Sequence, residues 1–315
     1  MTSTAEPVAH ARAGRSAASR PTRARAQRHH RRGWVFVGPF AVVFALTFLA
    51  PLGYALGLSL FRDQAFFGGT VFVGLGNYAE AIADAKFWEA FGRVSLFLAV
   101  QVPVMLLLAL VAAFAIDSAR LHAAGFFRIV IFLPYAVPGV VAVLMWGFIY
   151  GDNFGLAADL NHLLGTDAVQ PLSKDWILTA IGNIVTWEFV GYNMLIFFSA
   201  LKVVPGELYE AAELDHASGW QTIWHIKLPA LRPAILVATI FSIIGSFQTF
   251  TEPDVLKPIS PDTIGTAFTP NMYAYNLSFN GQEYNYSATI AIVMGVLTMI
   301  IAYVVQRLAA RNQGA

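Results

Sequence analysis

The chain has 315 residues, of which 57% are hydrophobic, 14% aromatic and only 12% charged, with a mean hydropathy of +0.59. That composition belongs to a chain dissolved in lipid and excludes an ordinary water-soluble domain. The net charge of +1 decides nothing by itself, while the absence of cysteine excludes structural disulfides, thiolate metal sites and thiol catalysis.

Residues 1–33 hold eight arginines and one acid among many Ala and Ser. Such a stretch cannot bury a core, so it is expected to be a disordered cytoplasmic tail beside anionic lipid, with no nucleic-acid partner. The charged region and the apolar run after it are both too long for a cleaved signal peptide, so the first span is expected to stay as an anchor. Apolar runs of about 20 residues, long enough to cross roughly 30 Å of hydrocarbon, occupy 34–61, 91–116, 126–150, 177–201, 233–250 and 287–308. The expected fold is therefore all-α: one polytopic domain of six transmembrane helices over 34–308, with a short cytoplasmic tail at 309–315. With the N-terminal tail inside, fifteen of the 20 Lys and Arg residues lie in cytoplasmic segments and five outside, which places both termini in the cytoplasm. The loops 117–125 and 202–232 then face inward, and 62–90, 151–176 and 251–286 face outward.

The inward loop 202–232 has a helical core. Pro205 and Gly206 end the preceding span, and 207–218 contains strong helix formers with Glu207, Glu210 and Glu213 spaced along one face near the start, where the helix dipole favours negative charge. Ala211, Ala212 and Ala217 leave a surface of little bulk that another protein's backbone can approach. Gly219 offers a turn, and Leu228-Pro229 with Pro233 closes the amphipathic segment and opens the fifth span. On these residues alone, the competing reading is an interfacial helix pair that lies under the bilayer and binds no partner.

The segment also resembles the coupling motif of permease subunits from binding-protein-dependent ABC importers, Glu-Ala-Ala, three residues, Gly, nine residues, Ile-x-Leu-Pro. Glu210, Ala211, Ala212, Ile226, Leu228 and Pro229 match at the required spacing, with Asp215, Ala217 and Gly219 between them; His216 replaces the motif's glycine. The resemblance extends over 34–308 and is greatest to the sugar branch, the permeases for maltose-type oligosaccharides, lactose and glycerol phosphate. Further landmarks of that branch are GLGNY at 74–78, FRIVIFLPY at 127–135, Trp187 with GYNM at 191–194, and FQTF at 247–250. It implies the type I importer permease fold in a bacterial inner membrane, a second permease subunit, two cytoplasmic ATPase subunits docked on the coupling loops, and an extracytoplasmic solute-binding protein that delivers a sugar. No glycine precedes any of the five lysines, so the chain lacks a phosphate-binding loop of the GxxxxGK[ST] type; ATP and Mg are expected on the partner, and no cofactor or metal on this chain.

The solute pathway is read from polar residues inside spans. Glu188 lies in the middle of the fourth, where a carboxylate is costly unless it faces water or a partner; a structural hydrogen bond to Asn183, Asn193 or a neighbouring subunit competes with a pathway role. Tyr192 follows four residues later on the same helix face. Ser246, Gln248 and Thr249 bring unusual polarity to the end of the fifth span, with Phe247 among them as a pathway candidate. The resemblance places Tyr192, Ser246 and Thr249 at sugar-contacting positions of the family. His122, His162 and His225 lack the spacing of a metal site, and the loop 251–286 suits either a docking surface for the binding protein or a structural lid. The competing function is a proton-coupled secondary carrier in which Glu188 titrates; it has no use for an ATPase-coupling pattern and would be expected to show repeated halves, which the sequence does not.

Overall fold

The computed structural model describes residues 35–63, 69–118 and 121–311. The expected N-terminal tail, Arg120 and the last four residues lie outside them. The chain divides into two units, one ending at Tyr54 and one beginning at Ala55. In the first unit no side chain from Val35 onward is buried, as an apolar helix requires when lipid is its solvent. That helix, α1 (Val35–Ser59), contains a π-turn at Ala45–Leu49 and ends inside the second unit.

The second unit continues with a short antiparallel hairpin, β1 (Phe61–Asp63) and β2 (Thr70–Phe72), in the register Phe61↔Phe72 and Asp63↔Thr70, a departure from the purely helical expectation. Buried Asn77 explains it: its amide donates to the carbonyls of Ser59 (3.0 Å) and Phe61 (2.7 Å) while accepting from the Arg62 guanidinium. Asn77 belongs to α2 (Gly76–Ala83), so the GLGNY landmark is the bolt that holds this hairpin.

The long helix α3 (Ala85–Asp117) starts at Asp84, whose side chain accepts from the backbone N–H groups of Lys86 (2.9 Å) and Phe87 (3.4 Å). It packs along α7 (Ile177–Leu201), with Val102, Met105, Ala109 and Ala113 of α3 buried against Met194, Phe197 and Leu201 of α7. The small residues Ala109 and Ala113 are fully buried, letting the backbones approach closely as membrane helices need.

The third span departs from the single helix expected over 126–150. It is two helices, α4 (Ala124–Phe132) and α5 (Gly139–Ile149), bent by 95°. Leu133–Ala136 form a 3₁₀ turn, and Val137, held extended (ψ 131°) by the following Pro138, ends it; a residue before proline is excluded from the helical region. Among the described residues, six segments are suited to cross a membrane when this bent pair is counted as one, and five without it.

The loops expected to face outward contain helices of their own: α6 (Leu156–Leu164), α10 (Thr251–Leu256) and α11 (Pro270–Tyr275). The loop expected to face inward contains α8 (Gly206–Leu214), which begins one residue before the run expected to be helical and stops four residues short of its end. The next helix begins much earlier than residue 233. This helix, α9, starts at Gly219 on a Ser218–Gln221 capping box and passes through a π-turn at Ile223–Lys227 before continuing to Phe247. The π-turn lies just ahead of Pro229, where a regular ladder would call for an N–H that proline lacks. The last helix, α12, covers Tyr284–Arg311.

Candidate functional site

Two breaks in the helical ladder meet at one cavity. Tyr135 comes from the 3₁₀ turn between α4 and α5. Gln248 and Thr249 come from the unwound residues between α9 and α10. Irregular backbone at membrane depth is tolerated where it lines a cavity or is buried in protein, and here it borders a space of about 340 Å³.

One wall is aromatic. The Tyr135 and Tyr192 rings stack at 4.9 Å, and Phe189 meets Tyr135 edge-on at 5.7 Å. Polar groups come from α3 (Gln101), α7 (Asn193) and the end of α9 (Ser246, Gln248, Thr249), with Glu252 at the start of α10. Gln101 and Asn193 are buried; the Gln101 amide donates to Thr186 Oγ1 (3.4 Å) and that of Asn193 to the Phe189 carbonyl (3.0 Å). The lining contains one carboxylate and no Lys, Arg or His.

Of the residues expected in a pathway, Tyr192, Asn193, Ser246, Gln248 and Thr249 are brought together. Phe247 points elsewhere: it is 1% exposed and stacks on Phe91 at 5.1 Å. Glu188 is buried and does not line the cavity; its Oε1 lies 3.6 Å from where a Cβ on Gly139 would stand. The expected amide partners bond elsewhere among the described residues: Asn183 donates to the Tyr150 hydroxyl (2.7 Å) and Asn193 to the Phe189 carbonyl. Arg93, near the start of α3, donates to the Phe268 carbonyl (2.7 Å) and lies over the Phe268 ring. Sequence reasoning missed Gln101, Tyr135 and Glu252 as lining residues. For Tyr135 the signal was present: an aromatic residue between two prolines, four residues apart in an apolar span, marks a break.

The second place of interest is the Glu-Ala-Ala segment. α8 ends on a left-handed residue, His216 (φ 53°), with the Ala217 N–H bonded to the Ala212 carbonyl at 2.9 Å and that of His216 to Glu213 at 3.1 Å. This is the helix stop for which glycine is the usual residue, and it falls at the position where the family motif has glycine. Gly219, expected to supply the turn, is instead the first residue of α9, without a positive φ. Glu210, Ala211 and Asp215 are exposed, and Ala212 and Ala217 are partly so. Ile226, Leu228 and Pro229 sit in and after the π-turn, partly buried.

Both ends of this segment are tied to the end of α3. Asp117 Oδ1 accepts from Lys202 Nζ at 2.8 Å and Oδ2 from Lys227 Nζ at 2.6 Å. The side chains of Asp117 and Lys227 are only 9% and 13% exposed. Lys227 also lies 5.7 Å above the ring of Tyr209 in α8.

A polytopic helical bundle with a polar, aromatic-walled cavity at its helix breaks, and with an exposed amphipathic helix at one end, is the architecture of a membrane permease. The chain belongs to the family of binding-protein-dependent transport system inner membrane components, whose description matches residues 39–313. It is 30% identical over 288 residues to a lactose transport system permease protein of Rhizobium radiobacter, covering 89% of this chain and 94% of that one. It is also 30% identical over 295 residues to a diacetylchitobiose uptake system permease protein of Streptomyces coelicolor, covering 89% and 83%. Its fold matches that of a chain in a bacterial ABC transporter that imports the acidic polysaccharide alginate, with a TM-score of 0.77 at 19% identity over 91% of this chain and 99% of that one. The chain is thus a transport subunit, and family membership argues against the proton-driven carrier.

Proposed function

We propose that this chain is one of two permease subunits of an ATP-driven, binding-protein-dependent importer, and that it carries a neutral oligosaccharide. In this reading α8 with its left-handed cap docks on a cytoplasmic ATPase that binds ATP and Mg, both termini lie in the cytoplasm, and the outward segments receive a solute-loaded binding protein. The observation that carries it is the exposed α8: the small side chains of Ala211, Ala212 and Ala217 lie beside a sharp stop at His216, a surface made for close docking.

The cavity supports the choice of solute. Flat faces of Tyr135 and Tyr192 suit the C–H faces of a pyranose ring, while amides and hydroxyls from Gln101, Asn193, Ser246, Gln248 and Thr249 suit its hydroxyls. A lining that bears a carboxylate and no cation disfavours a phosphate or uronate. The names of the similar lactose and diacetylchitobiose permeases agree with an uncharged sugar.

Ala212→Trp tests the docking surface. In proteoliposomes containing the assembled importer, transport and binding-protein-stimulated ATP hydrolysis should both fall by about tenfold or more, with normal membrane abundance. Retention of both activities would overturn the reading.

A further inference from the structure

The ion pairs at Asp117 reach further than local packing. A carboxylate at the last residue of α3 opposes the helix dipole, which favours cations there; two lysines from different elements reverse that disadvantage. Lys202 caps α7 just before the coupling segment begins, and Lys227 lies in the π-turn near its far end, between Ile226 and Leu228 of the motif. One carboxylate therefore gathers both ends of the segment, at 2.8 and 2.6 Å. Through Lys227 and the Tyr209 ring it also reaches α8 itself.

On the other side of the latch stands a helix that leads to the cavity. From Asp117, Met105 is twelve residues back along α3 and Gln101 sixteen, about 18 and 24 Å at 1.5 Å per residue. Both line the cavity. Pro103 lies between them and lacks the N–H that would bond the Ala99 carbonyl, so the ladder is weakest where the helix meets the solute space. The lower part of α3 is a stiff arm with its joint at the cavity.

We propose that Asp117 is the positioning residue that makes α3 move with the coupling segment, so that displacement of α8 by the ATPase is delivered along α3 to Gln101 and Met105. This rests on the reading of α8 as the ATPase dock. Chain geometry favours it, since rigid elements with discrete contacts carry motion between sites.

The absence of native cysteine in this chain makes a direct test clean. Spin labels on Glu207→Cys, in α8, and Val111→Cys, on the lipid-exposed side of α3, report their separation in the complete reconstituted importer, with MgATP and vanadate as the probe. With Asp117 present the two labels should keep one narrow distance through vanadate trapping. In Asp117→Asn the distribution should broaden or split on trapping, and the ATP hydrolysed per solute transported should rise by about tenfold. Asp117→Glu, which keeps the carboxylate, should restore both. Lys227→Met is the second variant, should Asp117→Asn fail to assemble, and should show the same broadening; because the two act as one unit, combining them should add little. A narrow, unchanged distance in the assembled Asp117→Asn or Lys227→Met importer would overturn the latch. Failure of the native chain to bind the ATPase at all would instead overturn the docking reading beneath it.

Discussion

Gly191 offers a severe test of how the cavity is built. A Cβ added there would stand 2.1 Å from the Ile131 carbonyl oxygen and 2.7 Å from the Ile131 carbonyl carbon and the Phe132 Cα. All three atoms are backbone of α4, so no side chain can swing aside, and restoring ordinary contact separates α7 from α4 by more than 1 Å. Overpacking of this kind costs about 3 kcal/mol. The displacement is transmitted directly to the aromatic wall: Tyr192 adjoins Gly191 and Tyr135 lies one turn beyond Ile131, so their rings, now stacked at 4.9 Å, are pulled apart and a further contribution of about 1 kcal/mol is lost. Gly191→Ala should therefore lower the unfolding midpoint of the purified importer by roughly 5–10 °C and depress transport. Gly182→Ala on the same helix is the control, since its Cβ meets only the Gln101 and Phe97 side chains at 3.6 Å. Equal stability and transport for the two variants would show that the α4–α7 approach does not hold the cavity in shape.

Other perturbations address single links of the same chain of reasoning. Tyr135→Ala and Tyr192→Ala should each raise the solute concentration needed for half-maximal tracer uptake by about tenfold, the loss of a stacked face worth roughly 1 kcal/mol or more, while ATP hydrolysis without solute stays as in the native importer; unchanged uptake in both would remove the cavity from the solute route. His216→Gly should relieve about 1 kcal/mol of left-handed strain and keep transport coupled, whereas His216→Val should fray the end of α8 and weaken ATPase binding in pull-down; identical behaviour would mean that the cap does not shape the segment. Asp84 predicts a pH effect. Burial raises its pKa, but hydrogen bonds from the Tyr273 and Tyr286 hydroxyls (2.7 and 2.8 Å) and from the Phe87 and Lys86 N–H groups more than offset this and lower it. A carboxyl with a depressed folded pKa contributes stability that is present above its unfolded value, about 4, and lost as pH falls through the folded one. Thermal unfolding across that acid range should show the native protein losing stability more steeply than Asp84→Asn, and parallel curves would refute the assignment.

Span positions were legible in the sequence because an apolar run of membrane length has few other uses, and Ile177–Leu201 matches its expected bounds. What escaped was the backbone's departure from regular helix, and each case has a local cause. Pro134 and Pro138 are visible in the sequence, yet hydropathy ignores them, so a 95° bend reads as one span. Pro229 and Pro233 mislead in the opposite direction: they look like a helix boundary, but a π-turn ahead of the first allows α9 to run unbroken from Gly219 to Phe247. The site divides along the same line. Tyr192 is placed by the family resemblance rather than by periodicity, since Glu188 one turn earlier on the same face does not line the cavity, whereas Tyr135 and Glu252 reach it only because helices break beside them. Phe247 shows why polarity alone misassigns: it stands between Ser246 and Gln248, and helical rotation turns it away into the Phe91 stack. The unbroken α9 also changes the mechanics. On the proposed reading of α8 as the ATPase dock, a helix that begins one residue after the Ser218 cap and ends at the cavity gives force applied at α8 two routes inward, α9 by covalent continuity and α3 through the Asp117 carboxylate. Two levers fixed at one end and meeting at Gln101, Ser246 and Gln248 can open or close the space between them, which a single lever sliding through a bundle cannot do.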